Sequence, residues 1–183
     1  KRPTVAKAYD RKGLVMLCSS FSKDLCPGYR VGWTAPGRFA PAVEWLKYTS
    51  SLATATLPQL AIAQFLSSGS YDHHLRHIRR EYARNVAELS FAVMRYFPQG
   101  TRVTRPSGGF LIWIQLPDQV DSLELYRRAL RAGIAITPGY IFSASERYRN
   151  FIRLNAANWS PTAGEAIRTL GSLVQALLDE SAG

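Results

Sequence analysis

The chain has 183 residues, 46% of them hydrophobic and 20% charged, with a net charge of +10, a composition that excludes a disordered segment and suits one sizeable core or two small ones. No apolar run approaches the roughly 20 residues of a membrane span, and Lys1-Arg2-Pro3-Thr4-Val5 lacks the apolar core of a secretion signal, so a cytoplasmic protein without membrane contact is expected. The two cysteines, Cys18 and Cys26, form neither a CxxC pair nor a disulfide framework, as expected in a reducing compartment.

In chain order, Leu14 to Leu17 reads as a strand that runs into the loop around Lys23, and a second strand, Arg30 to Ala35, follows the Pro27-Gly28 turn. Both are expected to be buried. A helix covers Ala40 to Ser50, and Leu57-Pro58 opens another, Gln59 to Leu66, stopped at Ser67-Ser68-Gly69. Tyr71 to Phe97 reads as one long helix with Leu75, Ile78, Tyr82, Val86, Leu89 and Val93 on its apolar stripe, ended by Pro98-Gln99-Gly100. Thr101 to Thr104 and Phe110 to Leu116 are strands joined through Pro106-Ser107-Gly108-Gly109, and Trp113 is read as a core residue. Asp121, with Glu124 three positions on, caps a helix that Gly133 closes. Ile134 to Thr137 and Phe151 to Ala156 are short strands, and Ser160-Pro161 starts a final helix bearing Ile167, Leu170, Leu173, Val174 and Leu177. This alternation is α/β and predicts a small sheet covered by helices on one side.

The positive charge invites a phosphate-backbone partner. However, the densest run, Arg76, Arg79, Arg80 and Arg84, falls on the polar side of the long helix and reads as a solvated face or a subunit contact. His73, His77 and Glu81 stand at i, i+4 and i+8 but have no convergent second element, so no metal site is expected. The three histidines, His73, His74 and His77, are read as solvated.

The stretch SSFSKDLCPGYRVGW, Ser19 to Trp33, places a single amine, Lys23, beside the hydroxyls of Ser20 and Ser22 and ahead of Arg30. This set suits an aldehyde cofactor that carries a phosphate: an amine bonds the aldehyde, while hydroxyls and a guanidinium hold the dianion. Pyridoxal phosphate is such a cofactor. On its own, Ser-x-Ser-Lys is equally the string of an ordinary surface loop.

The stretch also resembles the lysine and phosphate-arginine segment of fold-type I pyridoxal-phosphate enzymes, the aminotransferase family. PSGGFLIWIQLP (Pro106 to Pro117), GIAITPGYIFS (Gly133 to Ser143) and NFIRLNAANW (Asn150 to Trp159) resemble that family's small-domain motifs in the same order. The resemblance implies the C-terminal part of the fold: the end of the large domain over residues 1–70, then a connecting helix and a complete small domain over 71–183. It makes Lys23 the catalytic, Schiff-base lysine, Ser20, Ser22 and Arg30 the phosphate ligands of pyridoxal 5'-phosphate, and Arg153 the receiver of a substrate α-carboxylate. Gly108 and Gly109 would let backbone approach that site. The family's helix N-terminus for the phosphate, its aromatic residue over the cofactor ring and its aspartate on the pyridine nitrogen would all precede Lys1. The 183 residues alone are therefore not expected to retain the cofactor.

LAIAQFLSSGSYDHHLRHIRREYARN followed by FPQGTRVTRPSGGFLIWIQLP is most similar to the MocR-type branch of GntR transcriptional regulators. That branch implies a homodimer that binds DNA through a separate N-terminal domain and senses an amino acid or amine through the lysine Schiff base. A stand-alone aminotransferase of the aminoadipate or aromatic type shares the same skeleton. A non-catalytic interaction scaffold is the third reading, favoured if Lys23 is unreactive.

Overall fold

A computed structural model describes residues 4–145 and 147–182; Lys1 to Pro3, part of the N-terminal segment read above, lie outside the described residues, as do Glu146 and Gly183. The chain divides into two units, Lys1–Arg76 and His77–Gly183.

Polar turn chemistry organises the first unit. Lys7 Nζ donates to Asp10 Oδ2 at 2.9 Å and to the Val15 carbonyl at 2.8 Å, while the Asp10 carboxylate accepts from the amides of Lys12, Leu14 and Val15. The Lys7 bond and these amides hold the Asp10 carboxyl well below the usual carboxylate range. Because Val15 spends both its amide and its carbonyl here, strand pairing starts later than the apolar run suggested. Strand β1 is Leu17–Ser20, and Leu14 and Met16 lie outside it, half exposed. It pairs antiparallel with β2, Gly32–Ala35, with Leu17 opposite Ala35 and Ser20 opposite Gly32. The second strand also begins later than expected, because Arg30 adopts a left-handed conformation, φ 53°, that closes the 3-10 turn Pro27–Tyr29.

The expected burial of these strands is corrected too: both are largely exposed, and among the described residues of this unit only Val31 and Ile62 are buried hydrophobics. Helices α1, Ala40–Ser51, and α2, Thr56–Ser67, follow, with Trp45, Leu46, Leu57 and Leu60 turned to solvent. Helix α3, Ser70–Tyr96, is the long helix read from the sequence.

The second unit is built on a four-stranded antiparallel sheet of order β3-β4-β6-β5, comprising Arg102–Val103, Leu111–Gln115, Phe151–Asn155 and Thr137–Pro138. Ile112 stands opposite Leu154 and Ile114 opposite Ile152. Alternation sends these four side chains to one face, where they join Leu89 and Val93 of α3, Leu125 and Ala129 of α4 (Ser122–Arg131), and Leu170 and Val174 of α5 (Pro161–Ala182) in one buried cluster. Helices cover that single face, as the pattern predicts. Strand β5 is shorter than expected because the Ile134 amide still bonds the Ala129 carbonyl, at 2.8 Å, and Gly133 sits at φ 74°, so the chain is still closing α4.

Asn85 joins the buried side of α3 and donates to the Ala157 carbonyl at 3.3 Å, whereas Arg76, Arg79, Arg80 and Arg84 are exposed. Among the described residues no helix is long and apolar enough to cross a membrane.

Asp121 is the N-cap of α4: its Oδ1 accepts from the amides of Leu123 at 2.8 Å and Glu124 at 3.1 Å. The expected reciprocal box is half realised, since the Glu124 carboxylate pairs with Arg128 instead. The other Asp121 oxygen accepts from Tyr140 Oη and Arg149, tying α4 to the segment after β5. Burial opposes ionisation of Asp121, but the Tyr140 hydroxyl, the two amides and Arg149 outweigh it and hold the carboxyl below its ordinary value. Replacing Asp121 with Ala should cost about 1 kcal/mol of stability. Asp121→Asn keeps a capping acceptor and should cost less. A depressed folded-state value means that the charge-dependent stabilisation is present above about pH 4 and lost as pH falls further. Thermal melts at neutral and acid pH should therefore show a steeper acid loss for wild type than for Asp121→Asn; equal slopes would contradict this role.

Candidate functional site

The residues from Phe21 to Cys26 form a tight helical turn, with the amides of Leu25 and Cys26 both donating to the Phe21 carbonyl, at 3.0 and 2.9 Å. Lys23 lies on this turn and is exposed. Beside it, Ser20 Oγ donates to Ser22 Oγ at 3.0 Å and accepts from the Ser22 amide at 3.1 Å, and Arg30 Nη1 donates to Ser22 Oγ at 3.3 Å and to the Pro27 carbonyl at 3.3 Å. Two hydroxyls and a guanidinium thus converge next to the lysine. The left-handed turn at Arg30 folds its side chain back to Ser22. Among the described residues no carboxylate forms a salt bridge with Arg30. This donor set fits a phosphate dianion. The pairing of β1 with β2 brings Ser20 to the cluster, and it requires glycine at position 32, where a Cβ would stand 2.8 Å from the Ser19 carbonyl oxygen.

Arg153 belongs to the second unit. It lies on β6 opposite Trp113 of β4 and Thr137 of β5, on the face turned away from the buried isoleucines. Its guanidinium carbon stands 4.8 Å from the centre of the Phe142 ring, a cation–π contact. Trp113, expected in the core, is instead half-buried on this outer face, because strand alternation opposes it to Ile112 and Ile114. Its ring centre lies 5.1 Å from Phe142, 5.4 Å from Tyr148 and 5.5 Å from Phe151. Glycine at 139 lets the segment before Phe142 lie against the start of β6, since a Cβ there would collide with the Tyr148 carbonyl.

The structure thus brings Ser20, Ser22 and Arg30 together beside Lys23, and it sets Arg153 against an aromatic surface in the other unit. Sequence reading missed Asp24, Tyr71 and His74, which meet behind the lysine turn: Tyr71 Oη donates to Asp24 Oδ2 at 2.7 Å, and His74 Nε2 lies 2.7 Å from the Asp24 carbonyl oxygen. The solvated reading holds for His73 and His77, which are exposed, and fails for His74. The spacing of Tyr71 and His74, three apart, places both on one side of the first turn of α3, but nothing local pairs either with Asp24.

The mixed α/β elements match part of the fold-type I aminotransferase architecture. The sequence matches the family described as aminotransferase class I and II over residues 1–167, and the chain belongs to that family. It is 44% identical over 174 residues to the HTH-type transcriptional regulator YjiR of Escherichia coli K12, covering 94% of this chain and 37% of that protein. It is 33% identical over 167 residues to the 2-aminoadipate transaminase of Thermus thermophilus, covering 90% of this chain and 42% of the enzyme. Among solved structures it is similar to the kynurenine aminotransferase of Pyrococcus horikoshii, with a TM-score of 0.85, 31% identity and coverage of 94% of this chain and 43% of that one. The chain spans less than half the length of these relatives and corresponds to the C-terminal portion of the fold-type I architecture.

Replacing Gly32 with Ala should push β2 off β1 at the Ser20 register and loosen the serine cluster. Hydrogen exchange should then speed up at the Phe21 amide, which bonds the Val31 carbonyl at 3.1 Å, with the amides of β4 and β6 unaffected. Unchanged protection at Phe21 would show that the close approach is not needed.

Proposed function

We propose that this chain is the pyridoxal-phosphate-binding, aminotransferase-like effector region of a GntR/MocR-type transcriptional regulator that senses an amino acid or amine. The observation that carries the cofactor assignment is the meeting of Ser20, Ser22 and Arg30 beside Lys23. The regulator reading is supported by the higher identity to an HTH-type regulator, 44%, than to the 2-aminoadipate transaminase, 33%. DNA binding would reside in a separate helix-turn-helix domain, and homodimerisation is part of the same proposal.

When bound, pyridoxal phosphate supplies an aldehyde carbon that bonds reversibly to amines and a ring that withdraws electrons from what is attached there. Arg30 and the hydroxyls of Ser20 and Ser22 would hold the phosphate, exchanging their mutual hydrogen bonds for bonds to its oxygens. Lys23 Nζ would hold the cofactor covalently. Lys23 Nζ, whenever it is not holding the cofactor, would be the amine placed to hold a proton from a bound amine ligand. Arg153 would receive the carboxylate of an amino acid through its planar fork of N–H donors. In a regulator, the exchange at Lys23 biases the DNA-binding arms between arrangements that differ in affinity for the amine. The fold's agreement with kynurenine aminotransferase favours a second reading, a transaminase, in which Lys23 goes on to move the ligand proton at each turnover.

Borohydride reduction of the complete protein proposed above, rather than of these 183 residues alone, with pyridoxal phosphate, followed by peptide mass analysis, should place the trapped cofactor on Lys23. Lys23→Ala should abolish it; undiminished trapping at another lysine would overturn the assignment. Amino-acid-dependent changes in DNA affinity without turnover support the regulator, and steady transamination supports the second reading. Replacing Arg153 with Ala should weaken exchange with α-amino acids by about thirtyfold or more. Trapping at Lys23 and exchange with amines lacking a carboxylate should be unaffected, and Arg153→Lys should recover little. Equal losses for both ligand classes would show that Arg153 does not read the carboxylate.

A further inference from the structure

We infer that Tyr71 and His74, on the first turn of α3, are positioning residues for Lys23 that act through Asp24. This inference rests on the proposal that Lys23 carries the cofactor. Within the turn from Phe21 to Cys26, Phe21 and Asp24 are three apart and flank Lys23 in sequence, and both engage the same turn of α3. The Phe21 ring meets the Tyr71 ring edge-on, centres 6.2 Å apart. Asp24 makes two contacts: Tyr71 Oη donates to its Oδ2, and its carbonyl oxygen lies 2.7 Å from His74 Nε2. A carbonyl only accepts, so Nε2 carries the hydrogen in this arrangement.

Phe65 of α2 closes the cluster, edge-on to Tyr71 at 6.3 Å and to His74 at 5.9 Å, and restricts both rings. The second carboxylate oxygen, Asp24 Oδ1, is buried without a hydrogen-bond partner among the described residues. An orphaned carboxylate oxygen is costly and persists where its surroundings over-determine its position. The backbone of Lys23 is therefore fixed on its N-terminal side by Phe21 and on its C-terminal side by both the side chain and the carbonyl of Asp24. The hydroxyl and guanidinium cluster is assembled from the neighbouring residues of the same segment. A lysine that must meet one carbon of a cofactor held by its phosphate gains rate from such fixation, because the turn need not be ordered at each encounter. Asp24 is the coupling residue: it is the immediate neighbour of Lys23, and it receives both bonds from α3.

The test uses the complete protein proposed above and three variants of it: Tyr71→Phe, which removes a hydroxyl alone, His74→Ala, and His74→Gln, which keeps an N–H donor. In the cofactor-free protein, exchange at the Leu25 and Cys26 amides should rise about tenfold in Tyr71→Phe and His74→Ala, the loss expected of one hydrogen bond. With pyridoxal phosphate added, the rate of borohydride-trappable attachment at Lys23, and its exchange with methylamine, should each fall by about the same factor. His74→Gln should stay within about twofold of wild type, and melting temperatures should not separate the variants. Methylamine has no carboxylate, so Arg153 plays no part in the readout. Wild-type exchange and trapping in Tyr71→Phe and His74→Ala would overturn the inference. So would losses that follow a fall in melting temperature and are shared by His74→Gln. If wild type traps no cofactor at Lys23, the proposed function itself fails and takes this inference with it; normal wild-type trapping with indifferent variants refutes the positioning role alone.

Discussion

The antiparallel register of β4 against β6 governs the second unit, because side chains alternate with a period of two and each strand has one face for the core and one for everything else. Ile112, Ile114, Ile152 and Leu154 take the inner face and are nearly inaccessible to solvent. The same parity obliges Trp113 and Arg153 to share the outer face, directly opposite each other. A slip of one residue in β6 would bring a guanidinium to the helices and expose Ile152, and burying an unpaired charge costs far more than any strand propensity returns. Core packing therefore holds Arg153 on the outer face, beside Trp113 and Phe142.

The first unit is held differently. With little fully buried apolar surface, its lysine segment is shaped by short polar closures: Lys7 and Asp10 set the approach to β1, and the Phe21 carbonyl gathers the amides of Leu25 and Cys26. Arg30 illustrates the bias. A left-handed backbone is disfavoured for a residue with a Cβ, by about 1 kcal/mol or more, and asparagine or glycine would accept it at lower cost. The sequence nevertheless places arginine there, and the conformation turns the guanidinium back toward Ser22.

Much of this was legible in the sequence. Periodicity located α3 and α5, the cap at Asp121 located α4, and the order of hydroxyls, lysine and arginine pointed to the cluster of Ser20, Ser22 and Arg30, because each of these signals lies within a few residues of chain. Alternation along β4 also carried the information that Trp113 faces away from Ile112 and Ile114; the apolar character of the run masked it. The start of β1 was hidden for another reason, since Lys7 and Asp10 claim the Val15 backbone from several residues upstream. The contact of His74 with Asp24 joins residues 50 positions apart, and no local pattern specifies such a pair. Histidine on a charged helix reads as solvated until the packing of Phe65 and the lysine turn against it is known.

Family members that regulate transcription and members that transaminate can share this C-terminal architecture because both uses can begin with the same requirement: reversible capture of an amine at a lysine-held aldehyde. In the proposed function that requirement falls on separable groups. The phosphate cradle retains the cofactor whichever amine is bound, Lys23 sets the exchange, and Arg153 reads only ligands with a carboxylate. Phe142 occupies one side of the Arg153 guanidinium, and a guanidinium can meet an aromatic ring and still present N–H donors to a carboxylate, which an ammonium cannot do with the same planar fork. A sensor needs no more than that separation. Occupancy of Lys23 by cofactor or by ligand follows the concentration of the amine, and the carboxylate contact supplies the differential affinity through which one class of amino compound, rather than amines in general, can shift the population.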